Sequence, residues 1–193
     1  MNAYDLAGFL TGVVCVWLIV RQNIWNWPWG ILNSAIFCVS FFIVGLYADS
    51  ALQLVYIALG LYGWWAWLHG GRGRTSLGMH HISRGMAAAT LLFVAAATAV
   101  FATILAEALG STVPLWDGLT TALSLAAQVL LTRKIFENWF LWIAADIVYI
   151  PLYAYKHLPL TAALYVVFLG LCLAGIVSWH RTLRGSSGSG APA

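Results

Sequence analysis

The chain has 193 residues, of which 62% are hydrophobic and 8% are charged, and its formal net charge is +3. Soluble globular domains have about 25% charged residues, so this composition excludes an ordinary soluble domain and favours an integral membrane protein. The small positive charge also excludes the strongly basic surface of a nucleic-acid-binding protein.

Seven apolar segments follow one another along the chain. Each is near the length of about 20 residues that a helix needs to cross a hydrocarbon core. They are 5–20, 28–45, 51–68, 86–106, 115–132, 138–155 and 159–179. The sequence therefore predicts an all-α integral membrane protein with seven transmembrane helices.

Basic residues predict the orientation of these helices. With seven crossings, one side of the membrane receives eight of the nine Lys and Arg residues: Arg21, Arg72, Arg74, Arg84, Arg133, Lys134, Arg181 and Arg184. The other side receives only Lys156. Because short cytoplasmic loops are enriched in Lys and Arg, we expect the N-terminus outside and the C-terminus in the cytoplasm.

Segments 21–67 and 133–179 resemble each other when Arg21 is placed on Arg133, a shift that we call the repeat offset. The other matched residues are Asn26-Trp27 and Asn138-Trp139, Gly63 and Gly175, and Trp67 and Trp179. Shifting this alignment by one residue after these matches, a one-residue slip, would pair Trp29 with Trp142 and Asn33 with Asp146. One further helix separates the copies, which predicts a parallel 3+1+3 pseudo-repeat, an organisation typical of transporters.

This organisation divides the chain into five parts. They are a first three-helix unit (1–68), a basic cytoplasmic loop (69–85), a linking helix (86–106), a second three-helix unit (107–184) and a flexible tail (185–193).

Helix five carries a line of polar side chains on an otherwise apolar segment. Asp117, Thr121, Ser124 and Gln128 are spaced so that they share one helix face. In lipid such a line must face a polar cavity or bond to other helices. Asn33 and Gln53 are polar residues that interrupt the apolar segments of the first unit.

Helix six carries the strongest site signal. Trp139, Trp142, Asp146, Tyr149 and Tyr153 share one face. An Asp near the bilayer centre costs about 2.5–3.5 kcal/mol on insertion scales, which indicates a binding chamber around it. The alternatives are a structural Asp bonded to a neighbouring helix and tryptophans that anchor the membrane interface. An aromatic chamber with a carboxylate suits a flat cationic ring.

The sequence predicts neither an enzyme nor a metal or cofactor site. The five histidines lie in loops or at helix ends, the three cysteines lack a CxxC spacing, and there is no P-loop. A non-transporting scaffold subunit remains an alternative, in which the polar faces of helices five and six pack together without a cavity.

Several motifs resemble the PnuC family of bacterial vitamin-precursor transporters. In chain order they are Gly-Leu-Tyr-Ala (45–48), Tyr-Gly-Trp-Trp-Ala-Trp (62–67), Trp-Asp (116–117), Leu-Thr-Arg-Lys (131–134) and Glu-Asn-Trp-x-x-Trp (137–142). The resemblance covers about 20–180. It implies a seven-helix fold similar to SWEET sugar transporters, often a homotrimer in the membrane lipid.

The resemblance also implies an activity. This is facilitated diffusion of nicotinamide riboside across the bacterial inner membrane, with trapping by cytoplasmic phosphorylation. Members that carry nicotinamide riboside have Asn at the position of Asp146. Nicotinamide riboside and thiamine each carry a positively charged aromatic ring, and Asp suits either ring. The alternative substrate is therefore thiamine, or another vitamin carried by a member of the same family. The expected substrate-binding residues are Trp139, Trp142, Asp146, Tyr149, Asn33, Gln53, Ser124, Gln128 and Asp117.

Overall fold

The structure, a computed structural model, describes residues 3–188 except 44, 46, 109–111, 156 and 158. The described residues form the α-helices α1 (Ala3–Val20), α2 (Asn26–Ile43), α3 (Tyr47–His69), α4 (Arg84–Glu107), α5 (Pro114–Thr132), α6 (Asn138–Tyr155) and α7 (Pro159–Gly188). The predicted all-helical fold is confirmed, and most helix ends lie within a few residues of their expected positions.

Four segments of the described chain are long and apolar enough to cross a membrane, judged by length and composition alone. They are Asn26–Ile43, Asp49–His69, Arg84–Glu107 and Thr161–Gly185. At 1.5 Å per residue, a helix of the length of α4 reaches about 36 Å and exceeds the hydrocarbon core. The helices α5 and α6 are 19 and 18 residues long, and both carry buried polar side chains.

The last turns of α7 extend into the segment predicted as the tail. The helix continues to Gly188, beyond the boundary expected at residue 185. Extending an existing helix adds one hydrogen bond per residue without a new nucleation step, which lets Gly and Ser follow the apolar segment. The rest of the predicted tail, 189–193, lies outside the described residues.

Six of the helices form a closed ring. In order around it, α1, α2, α3, α5, α6 and α7 each pack against the next, and α7 returns to α1. The remaining helix, α4, packs against α5 and has no buried residue. Gly118 permits this close packing, because a Cβ there would lie 2.8 Å from the backbone nitrogen of Ala102. The linking helix therefore lies outside the ring.

The main hydrophobic core lies at one end of the ring. We call this the basic end; it is formed by the turns 21–25, 70–83 and 133–137 and the last turns of α7. The buried residues of the core are Ile19, Val20, Trp27, Trp67, Leu131, Phe136, Trp139, Cys172 and Trp179. Four of these nine side chains are indoles, so tryptophan packing determines how the helices meet at the basic end.

Positions related by the repeat offset make the same contacts at the basic end. Trp27 meets Trp67 edge-on, with ring centroids 5.4 Å apart and an interplanar angle of 87°. Trp139 meets Trp179 in the same way at 5.5 Å and 87°. The turns before α2 and α6 also match, because Gln22 and Lys134 have φ values of 53° and 54°.

The matched contacts continue along α2 and α6 without a change of register. Phe37 stacks on Phe41 at 5.6 Å, and the pair related to them by the repeat offset, Tyr149 and Tyr153, also stacks at 5.6 Å. Each of these pairs lies within one helix, but contacts between helices match as well: Phe37 lies against Gly8 of α1, and Tyr149 interacts with Thr120 of α5, positions that the repeat offset also relates. The predicted slip is therefore wrong, and Ser34, not Asn33, corresponds to Asp146.

Candidate functional site

Asp146 is buried between α6 and α7. Only 4% of its surface is exposed, and Cys172 of α7 donates its thiol hydrogen to Oδ2 at a distance of 3.5 Å. A thiol is a weak donor, and a carboxylate can accept about four hydrogen bonds. Asp146 therefore retains the capacity to bind a stronger donor or a cation.

Three tyrosine rings stack on one another next to Asp146. The ring centroids of Tyr149 and Tyr165 are 4.4 Å apart, and those of Tyr153 and Tyr165 are 5.3 Å apart with an interplanar angle of 10°. Tyr165 lies on α7 and the other two on α6. The stack shows that flat aromatic groups fit face to face between these helices.

Hydroxyl groups from α3 and α5 complete this site. Tyr56 of α3 and Tyr149 both interact with the hydroxyl of Ser124, and Tyr149 also interacts with Thr120. Ser124 and Thr120 are 4% and 1% exposed. We call these six residues the tyrosine cluster: Tyr56, Thr120, Ser124, Tyr149, Tyr153 and Tyr165. Ser124, Tyr149 and Tyr153 were predicted from the sequence, and Tyr56, Thr120 and Tyr165 were not.

The remaining polar residues of α5 lie along the same helix. Thr121 donates its hydroxyl to the carbonyl of Asp117 in the preceding turn, at 2.8 Å. Asp117 interacts electrostatically with Tyr149 and Tyr153. Gln128 is half-buried. The predicted polar line thus divides between the tyrosine cluster and bonds within α5.

The two tryptophans predicted to line the chamber, Trp139 and Trp142, lie towards the basic end. Trp139 is 1% exposed and covers Gly175, and its Nε1 has no hydrogen-bond partner among the described residues. Trp142 is half-buried and packs against the same core. Contact between Trp139 and a ligand would therefore require this core to rearrange.

Asn33 and Gln53 lie on α2 and α3 of the first unit. Asn33 donates from Nδ2 to the carbonyl of Gly8 and to the hydroxyl of Thr11, both at 2.8 Å, and so ties α2 to α1. Gln53 is half-buried on α3, one turn before Tyr56. The structure therefore brings Ser124 and Tyr149 together, whereas the hydrogen bonds of Asn33 are made to α1.

The structure also presents two grooves, and neither is lined by the tyrosine cluster. One of about 620 Å³ is lined by Leu173, Ala174, Val177, Ser178 and Arg181. The other, of about 500 Å³, is lined by Val113, Trp116, Ile147, Val148, Pro151, Leu152 and Tyr155. In this conformation the cluster side chains contact one another, so a ligand there would have to separate them.

The loop before α4 is docked on the turn before α6. Glu137 accepts hydrogen bonds from His81 and from the backbone nitrogen of Ile82, both at 2.8 Å. The ammonium of Lys134 lies 4.6 Å from the centroid of the Trp67 ring and donates to the carbonyl of Leu77. Burial lowers the pKa of Lys134 from its ordinary value.

Within the described part of the chain, no group of three His, Cys, Asp or Glu residues could hold a metal ion.

Comparison with known proteins adds independent information. Residues 2–181 match the family described as nicotinamide mononucleotide transporter. The nicotinamide riboside transporter PnuC of Escherichia coli (strain K12) is 27% identical over 213 residues, covering 95% of this chain and 89% of that protein. PnuC of Neisseria mucosa is 29% identical over 191 residues, covering 93% and 72%.

Two further similarities broaden the comparison. The riboflavin/roseoflavin transporter RibM of Streptomyces davaonensis is 27% identical over 200 residues, covering 98% of this chain and 91% of that protein. The crystal structure of the vitamin B3 transporter PnuC has a TM-score of 0.72 and 25% identity, covering 92% of this chain and 80% of that one.

Proposed function

We propose that this chain, which belongs to the nicotinamide mononucleotide transporter family, carries nicotinamide riboside across the bacterial inner membrane. Membership of this family makes the chain a membrane transporter and not an enzyme. The observation that carries the substrate assignment is the match to two proteins named nicotinamide riboside transporter, over more than nine-tenths of this chain. A scaffold role has no comparable support.

The proposed transport is facilitated diffusion, with phosphorylation in the cytoplasm trapping the imported compound. We also propose seven crossings in a parallel 3+1+3 arrangement, assembled as a homotrimer. The indole and ring contacts that match at the repeat offset support the repeat. Alternating access would then come from the two three-helix units rocking around a central site.

The orientation places the basic end in the cytoplasm and the N-terminus outside. Basic residues support it, because Arg21, Arg133 and Lys134 lie in turns at that end and Arg181 and Arg184 lie in the last part of α7. Lys156, the exception in the sequence argument, lies outside the described residues.

For the substrate site, we propose the space between the tyrosine cluster, Asp146 and Trp142. Nicotinamide riboside presents a flat ring with a quaternary nitrogen, which an aromatic face attracts by about 0.5–2 kcal/mol. The carboxylate of Asp146 would balance the charge, and the hydroxyls of Thr120 and Ser124 would bond the ribose. Trp139, Asn33, Gln53, Gln128 and Asp117 are proposed to contribute from the surrounding helix faces.

The test is uptake of radiolabelled nicotinamide riboside by purified protein in liposomes, compared with uptake of thiamine and riboflavin. We expect saturable uptake of nicotinamide riboside, and competition by the unlabelled compound. Saturable uptake of thiamine alone would replace the substrate assignment while keeping the transporter, and thiamine is the second candidate because of Asp146. Absence of uptake and of binding for all three compounds would contradict the proposal.

A further inference from the structure

Two indole groups form reciprocal hydrogen bonds at the basic end. Trp67 of α3 donates its Nε1–H to the carbonyl of Leu131 in α5 at 3.0 Å. Trp179 of α7 donates its Nε1–H to the carbonyl of Ile19 in α1, also at 3.0 Å. The two donors are related by the repeat offset, and so are the two acceptors. Each three-helix set therefore donates one bond to the other.

The acceptor carbonyls are available because of their place in the helices. Both lie in the last turn of a helix, where carbonyl groups lack the usual partner four residues later. The backbone nitrogens of Gln22 and Lys134, in the left-handed turns that follow, donate to the same two carbonyls at 2.9 Å. A carbonyl oxygen has two lone pairs, so each can still accept a hydrogen bond from an indole N–H.

Both bonds lie within a layer of buried tryptophan side chains, which we call the indole layer. It consists of Trp27, Trp67, Trp139 and Trp179. Trp67 and Trp179 are 3% and 0% exposed, and their rings meet at 6.2 Å. Trp27 and Trp139 support them edge-on from within their own sets. The layer therefore separates the tyrosine cluster from the turns of the basic end.

We propose that Trp67 and Trp179 form the cytoplasmic gate of the transporter, and that both indole–carbonyl bonds break when the site opens to the cytoplasm. This inference rests on the proposed function and its orientation. The two sets touch at two seams, α1 with α7 and α3 with α5, and each seam contains one of the bonds. Rocking of one set against the other must separate both seams at this end.

Locking a seam tests the gate. The hydroxyl of Ser178 donates to the carbonyl of Val20 at 2.9 Å, so Val20→Cys with Ser178→Cys brings two thiols to the α1–α7 seam for oxidative cross-linking. The pair related to it by the repeat offset, Ala66→Cys with Thr132→Cys, tests the α3–α5 seam. Ser50→Cys pairs with native Cys38, whose Sγ lies 3.3 Å from the Ser50 hydroxyl, and gives a control disulfide within one set.

We expect oxidation to slow uptake of nicotinamide riboside at least tenfold for either seam pair, and reductant to restore it. Binding from the outer side should persist, and the control disulfide should leave uptake unchanged. Wild-type rates in a fully cross-linked seam variant would overturn the gate. If the wild-type protein itself carries no nicotinamide riboside, the proposed substrate fails instead, and the gate is then judged by the following measurement.

The second measurement needs no substrate. Trp67→Phe and Trp179→Phe keep an aromatic ring but remove the donor, and native Cys172, which is 3% exposed, reports on opening. We expect a membrane-impermeant maleimide added from the cytoplasmic side to label Cys172 several-fold faster in both variants. Trp25→Phe, at a side chain 62% exposed on the same end, is the matched control. Labelling of the two gate variants no faster than this control would overturn the proposal.

Discussion

At the scale of single residues, Gly63 and Gly175 allow the indole layer to form. The ring of Trp27 lies against Gly63 and that of Trp139 against Gly175, with no room for a side chain between them. Crowding in a packed core typically costs about 1–3 kcal/mol. We expect Gly175→Ala to lower the free energy of unfolding by about this amount, measured by thermal or denaturant unfolding in detergent.

Gly170→Ala is the matched control for this prediction, because it lies on the same helix and a Cβ there meets nothing within 4 Å. Alanine favours a helix over glycine by about 0.5–1 kcal/mol, so this variant should be as stable as the wild type or more so. Equal stability of the two variants would show that the indole does not restrict position 175.

Asp146 is the residue on which the proposed choice between nicotinamide riboside and thiamine rests. Asp146→Asn keeps the size of the side chain and removes the negative charge, and so tests whether this chain depends on a carboxylate where the resemblance implies Asn in other carriers of nicotinamide riboside. If the carboxylate balances a cationic ring, the dissociation constant for nicotinamide riboside should rise about tenfold, or about 1.4 kcal/mol. Isothermal titration or scintillation proximity binding measures this change.

The control for Asp146 is Glu137→Gln, which removes a carboxylate from the basic-end loop contact and should leave the dissociation constant unchanged. Unchanged affinity in Asp146→Asn would remove the proposed charge role. A selective loss of thiamine binding in Asp146→Asn would favour thiamine as the substrate.

At the scale of elements, the loop between α3 and α4 is held by the turn before α6. The backbone nitrogen of Phe136 donates to the carbonyl of His80 at 3.0 Å, and Glu137 accepts from Ile82. We expect Glu137→Ala to release this loop, because a half-buried acceptor for a backbone N–H is lost. Amide hydrogen exchange should accelerate at Ile82 by at least several-fold, as measured by mass spectrometry.

Glu107→Ala provides the comparison for the loop, because Glu107 is an exposed carboxylate at the far end of α4. Its exchange pattern around residue 82 should equal that of the wild type. Unaltered exchange at Ile82 in Glu137→Ala would mean that the backbone contacts alone hold the loop.

The helices themselves were predictable because lipid imposes a length on them. Segments of nearly continuous apolar residues must form helices in which backbone groups bond internally, so composition alone located α4 and α6. The end of α7 was harder to predict, because Gly and Ser in its last turns are typical of a flexible segment.

Contacts between helices were less predictable than the helices. The helical spacing of α6 predicted that Trp139, Asp146 and Tyr149 would line one site. In the structure, Trp139 lies in the hydrophobic core of the basic end and Tyr149 lies in the tyrosine cluster. Helical spacing gives the direction of a side chain, not its depth or its partner on another helix. Tyr165 and Tyr56 were missed for this reason, although a tyrosine hydroxyl within an apolar helix needs a hydrogen-bond partner.

At the scale of the whole molecule, the ring of six helices combines similarity and difference between its halves. The repeat offset relates Gly8 to Thr120 and Phe37 to Tyr149. The ring of Phe37 lies against Gly8, whereas Tyr149 meets the hydroxyl of Thr120. The basic end is therefore built from matched contacts, while the hydroxyl groups of the proposed site come mainly from one half.

The positive charge of the proposed substrate leads to a prediction about the energetics of transport. The proposed carrier moves a cationic substrate without a coupled ion, so its net transport should follow the membrane potential. One elementary charge gains about 2.3 kcal/mol per 100 mV, and a tenfold concentration ratio corresponds to about 1.4 kcal/mol. In liposomes, nicotinamide riboside should therefore accumulate about tenfold for each 60 mV of interior-negative potential.

A potassium gradient with valinomycin sets the potential, and the accumulation ratio of labelled substrate is the measurement. Without a potential, the internal and external concentrations should become equal, and added internal kinase with ATP should raise only the total label inside. Exchange against a proton would be electrically neutral, because one positive charge enters as one leaves. Accumulation that follows an imposed pH gradient and ignores the potential would therefore contradict facilitated diffusion and indicate coupling to protons.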